Sequence, residues 1–131
     1  MTFDAIGIAG TALTVHRKWL DAISDNLANV NTAAPTSGPA FQAKYIEAQA
    51  GPGTTGVYVK GISEGDATGR LVYQPDSPIA DKDGYVWYPD IDLNEQMGSL
   101  IMAQRGYQAN AQVVDRARDI YESALQIGKG S

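Results

Sequence analysis

The stretch from Asp92 to Gly128 most constrains the fold, because it reads as one long helix with two apolar faces instead of one. Apolar or aromatic residues recur at Leu93, Met97, Leu100, Tyr107, Ala111, Val114, Tyr121 and Leu125, a heptad-like seam interrupted at Gln104 and Arg118. A second seam, Val113, Ala117, Ile120, Ala124 and Ile127, points elsewhere, since neighbouring helical residues sit about 100° apart. One partner helix cannot cover both. Arg105, Gln108, Gln112, Asp115, Asp119, Glu122 and Gln126 form a polar stripe between them. Asp92 with Glu95 has the form of a capping box, and Gly128 suits a left-handed helix end. The rise per residue makes such a helix roughly 50 Å long.

The other end of the chain reads as a second helix. Ile6, Ala9, Leu13, His16, Leu20, Ile23, Leu27 and Val30 step by three and four, with Thr11, Thr14, Lys18, Asp21 and Asp25 as the polar stripe. The apolar run Ala5 to Val15 has about the length of a secretory-signal core, but Asp4 precedes it and His16, Arg17 and Lys18 follow, the reverse of a signal. Asn29 and Asn31 suit the helix end, and Pro35 and Pro39 forbid continuation.

Between the helices the period changes. Phe41 to Ala48, Val57 to Ile62, Leu71 to Tyr73 and Tyr85 to Tyr88 are short aromatic or β-branched runs separated by glycine-bearing turns, which predicts a small antiparallel sheet of two to four strands. The fold expected is mainly α with a small β region: long terminal helices in a coiled-coil-like pair, and a small antiparallel β subdomain or hairpin between them. Its parts are an N-terminal helix over 1–32, a linker and β subdomain over 33–91, and a C-terminal helix over 92–128, the two helices forming one terminal helical domain.

Composition removes several function classes. Ten basic residues against fifteen acidic give a net charge of −5, without a basic cluster longer than Arg17-Lys18, which argues against a nucleic-acid groove. The absence of cysteine excludes disulfides and thiol catalysis. His16, the single histidine, lies on the apolar stripe, with no catalytic pattern and no second imidazole for a metal. Gly51, Gly53 and Gly56 match G-x-G-x-x-G, but the strand formers Val57-Tyr58-Val59 follow where a dinucleotide site needs a helix. Asp81-x-Asp83-Gly84 has the glycine turn of a calcium loop, yet Ile79 occupies the first ligand position, so an Asp-Gly turn explains it. Asp81, Asp83, Asp90 and Asp92 lack any sequence feature that would set one carboxyl's acidity against another's. These readings expect no enzyme, no cofactor, no metal site and no small-molecule substrate.

Gly-Ile-Ala-Gly-Thr-Ala-Leu-Thr at 7–14 and Asp-Asn-Leu-Ala-Asn-Val-Asn-Thr at 25–32 resemble the N-terminal signature of the bacterial flagellar rod and hook proteins. Glu95-Gln96-Met97, Leu100-Ile101 and Arg105-Gly106-Tyr107-Gln108-Ala109-Asn110 resemble the C-terminal signature of the same family. The proline-containing insert after Asn31-Thr32, the short length, and Gly84-Tyr85-Val86-x-Tyr88-Pro89-x-Ile91-Asp92 are most similar to its proximal-rod members. One departure is Ala40-Phe41-Gln42-Ala43, which leaves only Lys44 where basic residues are expected. The resemblance implies a structural subunit of the proximal rod of the flagellar basal body, polymerising through its terminal helices into the drive shaft that carries motor torque to hook and filament. It implies export by the flagellar type III system without a cleaved signal, a place in the periplasm, and partners that are further copies, other rod proteins, and the membrane (MS) ring and export apparatus at the rod base. Alternatives are another axial protein of the family, or a small β-domain binding module carried on helical oligomerisation arms.

The assembly interface is accordingly expected at Ile6, Leu13, Leu20, Ile23 and Leu27 of the first helix, packed within or between subunits against Leu100, Tyr107, Val114, Tyr121 and Leu125. Ile120, Ala124 and Ile127 are expected to face another subunit. Asn26, Asn29, Asn31 and Asn110 join the set as helix-ending or inter-subunit hydrogen-bonding groups.

Overall fold

A computed structural model describes residues 2–130, with side chains from residue 4 onward. Helix α1, Thr2–Ala28, is followed by strands β1, Lys44–Ala50, β2, Val57–Glu64, β3, Arg70–Tyr73, and β4, Tyr85–Tyr88, and the chain closes on helix α2, Leu93–Lys129. The predicted helix pair with a small β region between is the observed architecture.

Helix ends follow local chemistry. Asp92 caps α2 by accepting from the backbone N–H groups of Asn94 and Glu95, which satisfies donors the first turn leaves orphaned. Gly128 does not end the helix: α2 runs to Lys129, and Gly130 closes it in right-handed geometry. Two carbonyl acceptors, Gln126 and Ile127, take the Gly130 N–H, so no left-handed residue is needed. At the other helix, Asn29 accepts the hydroxyl of Thr32 and donates its side-chain amide to the Asp25 carbonyl.

The β region is two separate two-stranded antiparallel hairpins, not one sheet. Between β2 and β3 the backbone is diverted to the linker: the Gly65 N–H goes to the Ala43 carbonyl and the Ala40 N–H to Ala67. In the first hairpin Gly53 and Gly56 have positive φ and Gly51 donates to the Gly56 carbonyl. The glycine triplet is therefore a hairpin turn. In the second, Ala34 of the linker pairs with Trp87 on β4, and Val86 is completely buried.

The helices are antiparallel. The Asn26 side chain meets that of Gln96, and the His16 ring lies over Gly106. The buried core is thin and rich in alanine: Ala9, Val15, Ala22 and Ile23 on α1, Gln96, Ala103 and Ala117 on α2.

Candidate functional site

Each helix presents more faces than the chain covers. On α1, the predicted stripe from Ile6 through Leu27 is buried or half-buried throughout. A second face, unforeseen from the sequence, meets the first hairpin: Thr11 Oγ1 accepts the Val57 N–H, and Val15, His16 and Trp19 line a groove of ≈ 350 Å³ with Ile46, Ala48 and Val57. Thr11, a member of the polar stripe, is half-buried there. Its hydroxyl also donates to the Ile8 carbonyl, and a side chain at Gly56 would strike it, so only glycine lets the turn approach.

On α2 the inward face is rotated from the predicted seam. Leu100, Ala111 and Val114 are half-buried as part of it, but Leu93 and Met97 are 52% and 44% exposed, while Gln96, Ala103 and Ala117 point inward. Small side chains allow helices to approach closely, and here that closeness selects alanine and glycine over the larger residues beside them. The second predicted seam divides. Ala117 faces α1, whereas Val113, Ile120 and Ile127 stand outward at 46%, 63% and 77% exposure. Met102 continues that outward stripe at 64%. The polar stripe, Arg105 through Gln126, is exposed throughout.

The remaining candidate residues fall on both sides of this division. Ile23 is buried and Ile6, Leu13, Leu20 and Leu27 half-buried, all intramolecular. Tyr107, Tyr121 and Leu125 are more than a third exposed. Asn110 is half-buried and donates back to the Gly106 carbonyl; Asn31 is exposed. Asn26 is 1% exposed, and its amide is engaged inside the chain, donating to the Lys44 carbonyl and Gln96 Oε1 while accepting the Lys44 N–H. It is thus an intramolecular contact. Gln96, missed from the sequence, carries one usable signal: it stands in heptad register with Ala103, Asn110 and Ala117, all short of bulky side chains.

Charge is locally tied. A hydrogen bond to Asp25 and its negative charge raise the Lys44 ammonium above its usual range. Asp81 accepts from the Tyr85 and Asp83 N–H groups and from the Thr36 hydroxyl, and the backbone donor of Tyr85 leads in holding its carboxyl below the usual range. The Asp-Gly stretch is therefore a stitched turn. Among the described residues no group of three or more His, Cys, Asp or Glu is placed to hold a metal, and no helix is long and apolar enough to cross a membrane.

The molecule exposes 8699 Å², against about 6,700 Å² for a typical folded monomer of 14.0 kDa. The excess of about 2,000 Å² matches the area that stable protein interfaces remove from water. Exposed aliphatic stripes over a sparse interior are the kind of surface that marks interaction sites.

Comparison with known proteins agrees. Residues 6–36 match the family described as "Flagella basal body rod protein", and residues 82–127 the one described as "Flagellar basal body rod FlgEFG protein C-terminal". The chain is 35% identical to the flagellar basal-body rod protein FlgC of Salmonella typhimurium, over 93% of this chain and 94% of that one. Identity to FlgC of Escherichia coli O6:H1 is 36% over the same shares, and to FlgC of Bacillus subtilis 30% over 97% and 98%. With both helices, the intervening region and nearly the whole length matched, the chain belongs to the FlgC family of flagellar basal-body rod proteins.

Proposed function

We propose that this structural subunit of the flagellar basal-body rod works in the proximal rod, where copies polymerise through α1 and α2 into the shaft that transmits motor torque. The surface excess carries this reading: about 2,000 Å² beyond a monomer's expectation, with Met102, Val113, Ile120 and Ile127 aligned on one outward face. Torque transmission asks for no reaction. It asks for many buried seams loaded in parallel, packed at interior density so that the shaft is stiff.

In this reading Ile120 and Ile127 meet a neighbouring subunit, joined by the exposed parts of Tyr107, Tyr121 and Leu125, while Asn31, exposed at the opposite end of the helix pair, hydrogen-bonds at a separate contact. Ile6, Leu13, Leu20, Ile23 and Leu27 hold the subunit's own pair of helices, with Leu100 and Val114 opposite. The partners proposed are further copies, other rod proteins, and the MS ring and export apparatus at the rod base. The location proposed is the periplasmic rod, reached through the flagellar type III system.

The test is a deletion strain complemented with the wild-type gene or with Ile120→Asp. Wild type should restore hooks and filaments. The variant, altered at a side chain already 63% exposed, should fold normally and restore neither. Flagella in the uncomplemented deletion strain would refute the rod function, and full rescue by Ile120→Asp would remove this face from the interface.

A further inference from the structure

The aliphatic contacts between α1 and α2 do not define a register by themselves. Leu13 and Leu20 on one helix stand seven residues from Ile6 and Leu27, and Leu100 and Val114 on the other stand seven from Leu93, Tyr107 and Tyr121, so sliding by seven residues still sets apolar or aromatic side chains against one another. Two contacts break this degeneracy. One is steric, the His16 ring over Gly106; the other is polar, Asn26 against Gln96, ten residues away along each helix.

The polar contact is the stricter. Asn26 and Gln96 are 1% and 3% exposed. Asn26 Nδ2 donates to Gln96 Oε1 at 3.1 Å and to the Lys44 carbonyl at 2.9 Å, and its Oδ1 accepts the Lys44 N–H at 2.7 Å. A slip of seven residues puts Asn26 opposite Ala103, which offers no side-chain acceptor, and His16 opposite Val113, whose side chain would fill the ring's place. A slip the other way puts Asn26 opposite Pro89, outside α2. Each alternative keeps the Lys44 bonds but takes the Gln96 acceptor from a buried Asn26 N–H, which is costly.

We propose that Asn26 and Gln96 form a specificity-determining pair that fixes the register of α1 on α2, and that the bonds from Asn26 to the Lys44 backbone make the first hairpin follow that register. The two residues come from the motifs at opposite ends of the chain, Asp-Asn-Leu-Ala-Asn-Val-Asn-Thr and Glu95-Gln96-Met97. The consequence for assembly rests on the rod reading: a fixed register presents the outward stripe of every copy at one height to the next.

The chain has no cysteine, so Arg17→Cys and Arg105→Cys, on exposed and level positions, give two unique spin-label sites on the full chain. Pulsed electron paramagnetic resonance should show one narrow distance in the parent protein. Gln96→Met should add a second population, offset along the helix by about 10 Å, the length of seven residues. Gln96→Glu, which keeps an acceptor for Asn26, should retain the single distance near neutral pH. If the side chain at 96 only fills space, the order reverses, since Met matches Gln in size. A single distance with Met, or a mixture with Glu, overturns the proposal. Because distances are read on the isolated chain, a deletion strain that still makes flagella would sink the rod reading without changing this result.

Discussion

Gly106 is the residue on which opposing effects can be weighed most directly. Its position faces His16 so closely that an added methyl would overlap Nε2. The ring resists moving aside, since Nδ1 is held 2.7 Å from the Ala12 carbonyl, an acceptor that requires the proton on Nδ1. In an ordinary helix interior Gly→Ala stabilises by about 1 kcal/mol. Here overpacking, which costs about 1–3 kcal/mol, should win, so Gly106→Ala lowers stability by about 1 kcal/mol in urea denaturation. With His16→Ala already present the sign should reverse; stabilisation in both backgrounds would refute the steric account. Asp81 supports a second prediction, in pH. Its carboxyl is more acidic folded than unfolded, so its contribution is present above the ordinary Asp range and is lost as pH falls through the depressed folded value. The stability gap between the parent and Asp81→Asn should therefore close on acidification. A gap constant from neutral pH down to the acid limit would show that the Thr36, Asp83 and Tyr85 bonds do not depend on charge.

Elements differ in how far the sequence discloses them, and the difference follows what each one packs against. The second-hairpin strand β4 was expected at Tyr85 to Tyr88 and is found there, because aromatic and β-branched side chains after Asp83-Gly84 leave few alternatives. The α1 stripe was legible for a similar reason: eight residues at helical spacing, none exposed in the fold. Helix α2 was legible as a helix but not in its rotation. Hydropathy favoured Leu93 and Met97, whereas close approach favoured Ala103, Gly106 and Ala117, and no pattern in one strand of sequence reports the distance between two helices. The hairpin on α1 was hidden for a related reason. Thr11 looks polar, yet one hydroxyl both accepts from Val57 and donates to Ile8, so it is satisfied beneath a glycine turn. Of the candidate surface, the existence of two α2 faces was readable, and Ile120 and Ile127 stand on the outward one. The Asn26 to Gln96 contact was not, since it joins positions seventy residues apart.

At the scale of the whole molecule, the register fixed at Asn26 and Gln96 places Thr2 level with Ile120, so the last turns of α2 run past the start of α1. From Glu122 to Lys129 every residue is exposed. A helix end whose residues are all exposed frays readily, because little apolar packing adds to its backbone bonds and local side-chain pairs such as Arg118 with Glu122. The same end carries Ile127, among the described residues the most exposed of the large apolar side chains at 77%. Stability should therefore be divided along the chain: secure between Leu13 and Ile23 with their α2 partners, marginal at the overhang until another subunit covers it. Hydrogen exchange followed by mass spectrometry separates these states. In the isolated chain, peptides spanning 122–129 should exchange near the unfolded rate while those spanning 98–110 are protected. In purified rods the same 122–129 peptides should slow by at least about tenfold, a protection of roughly 1.4 kcal/mol. Equal exchange in both states would mean that the overhang stays uncovered after assembly, and the outward stripe would then have to find its partner between Met102 and Ile120 alone.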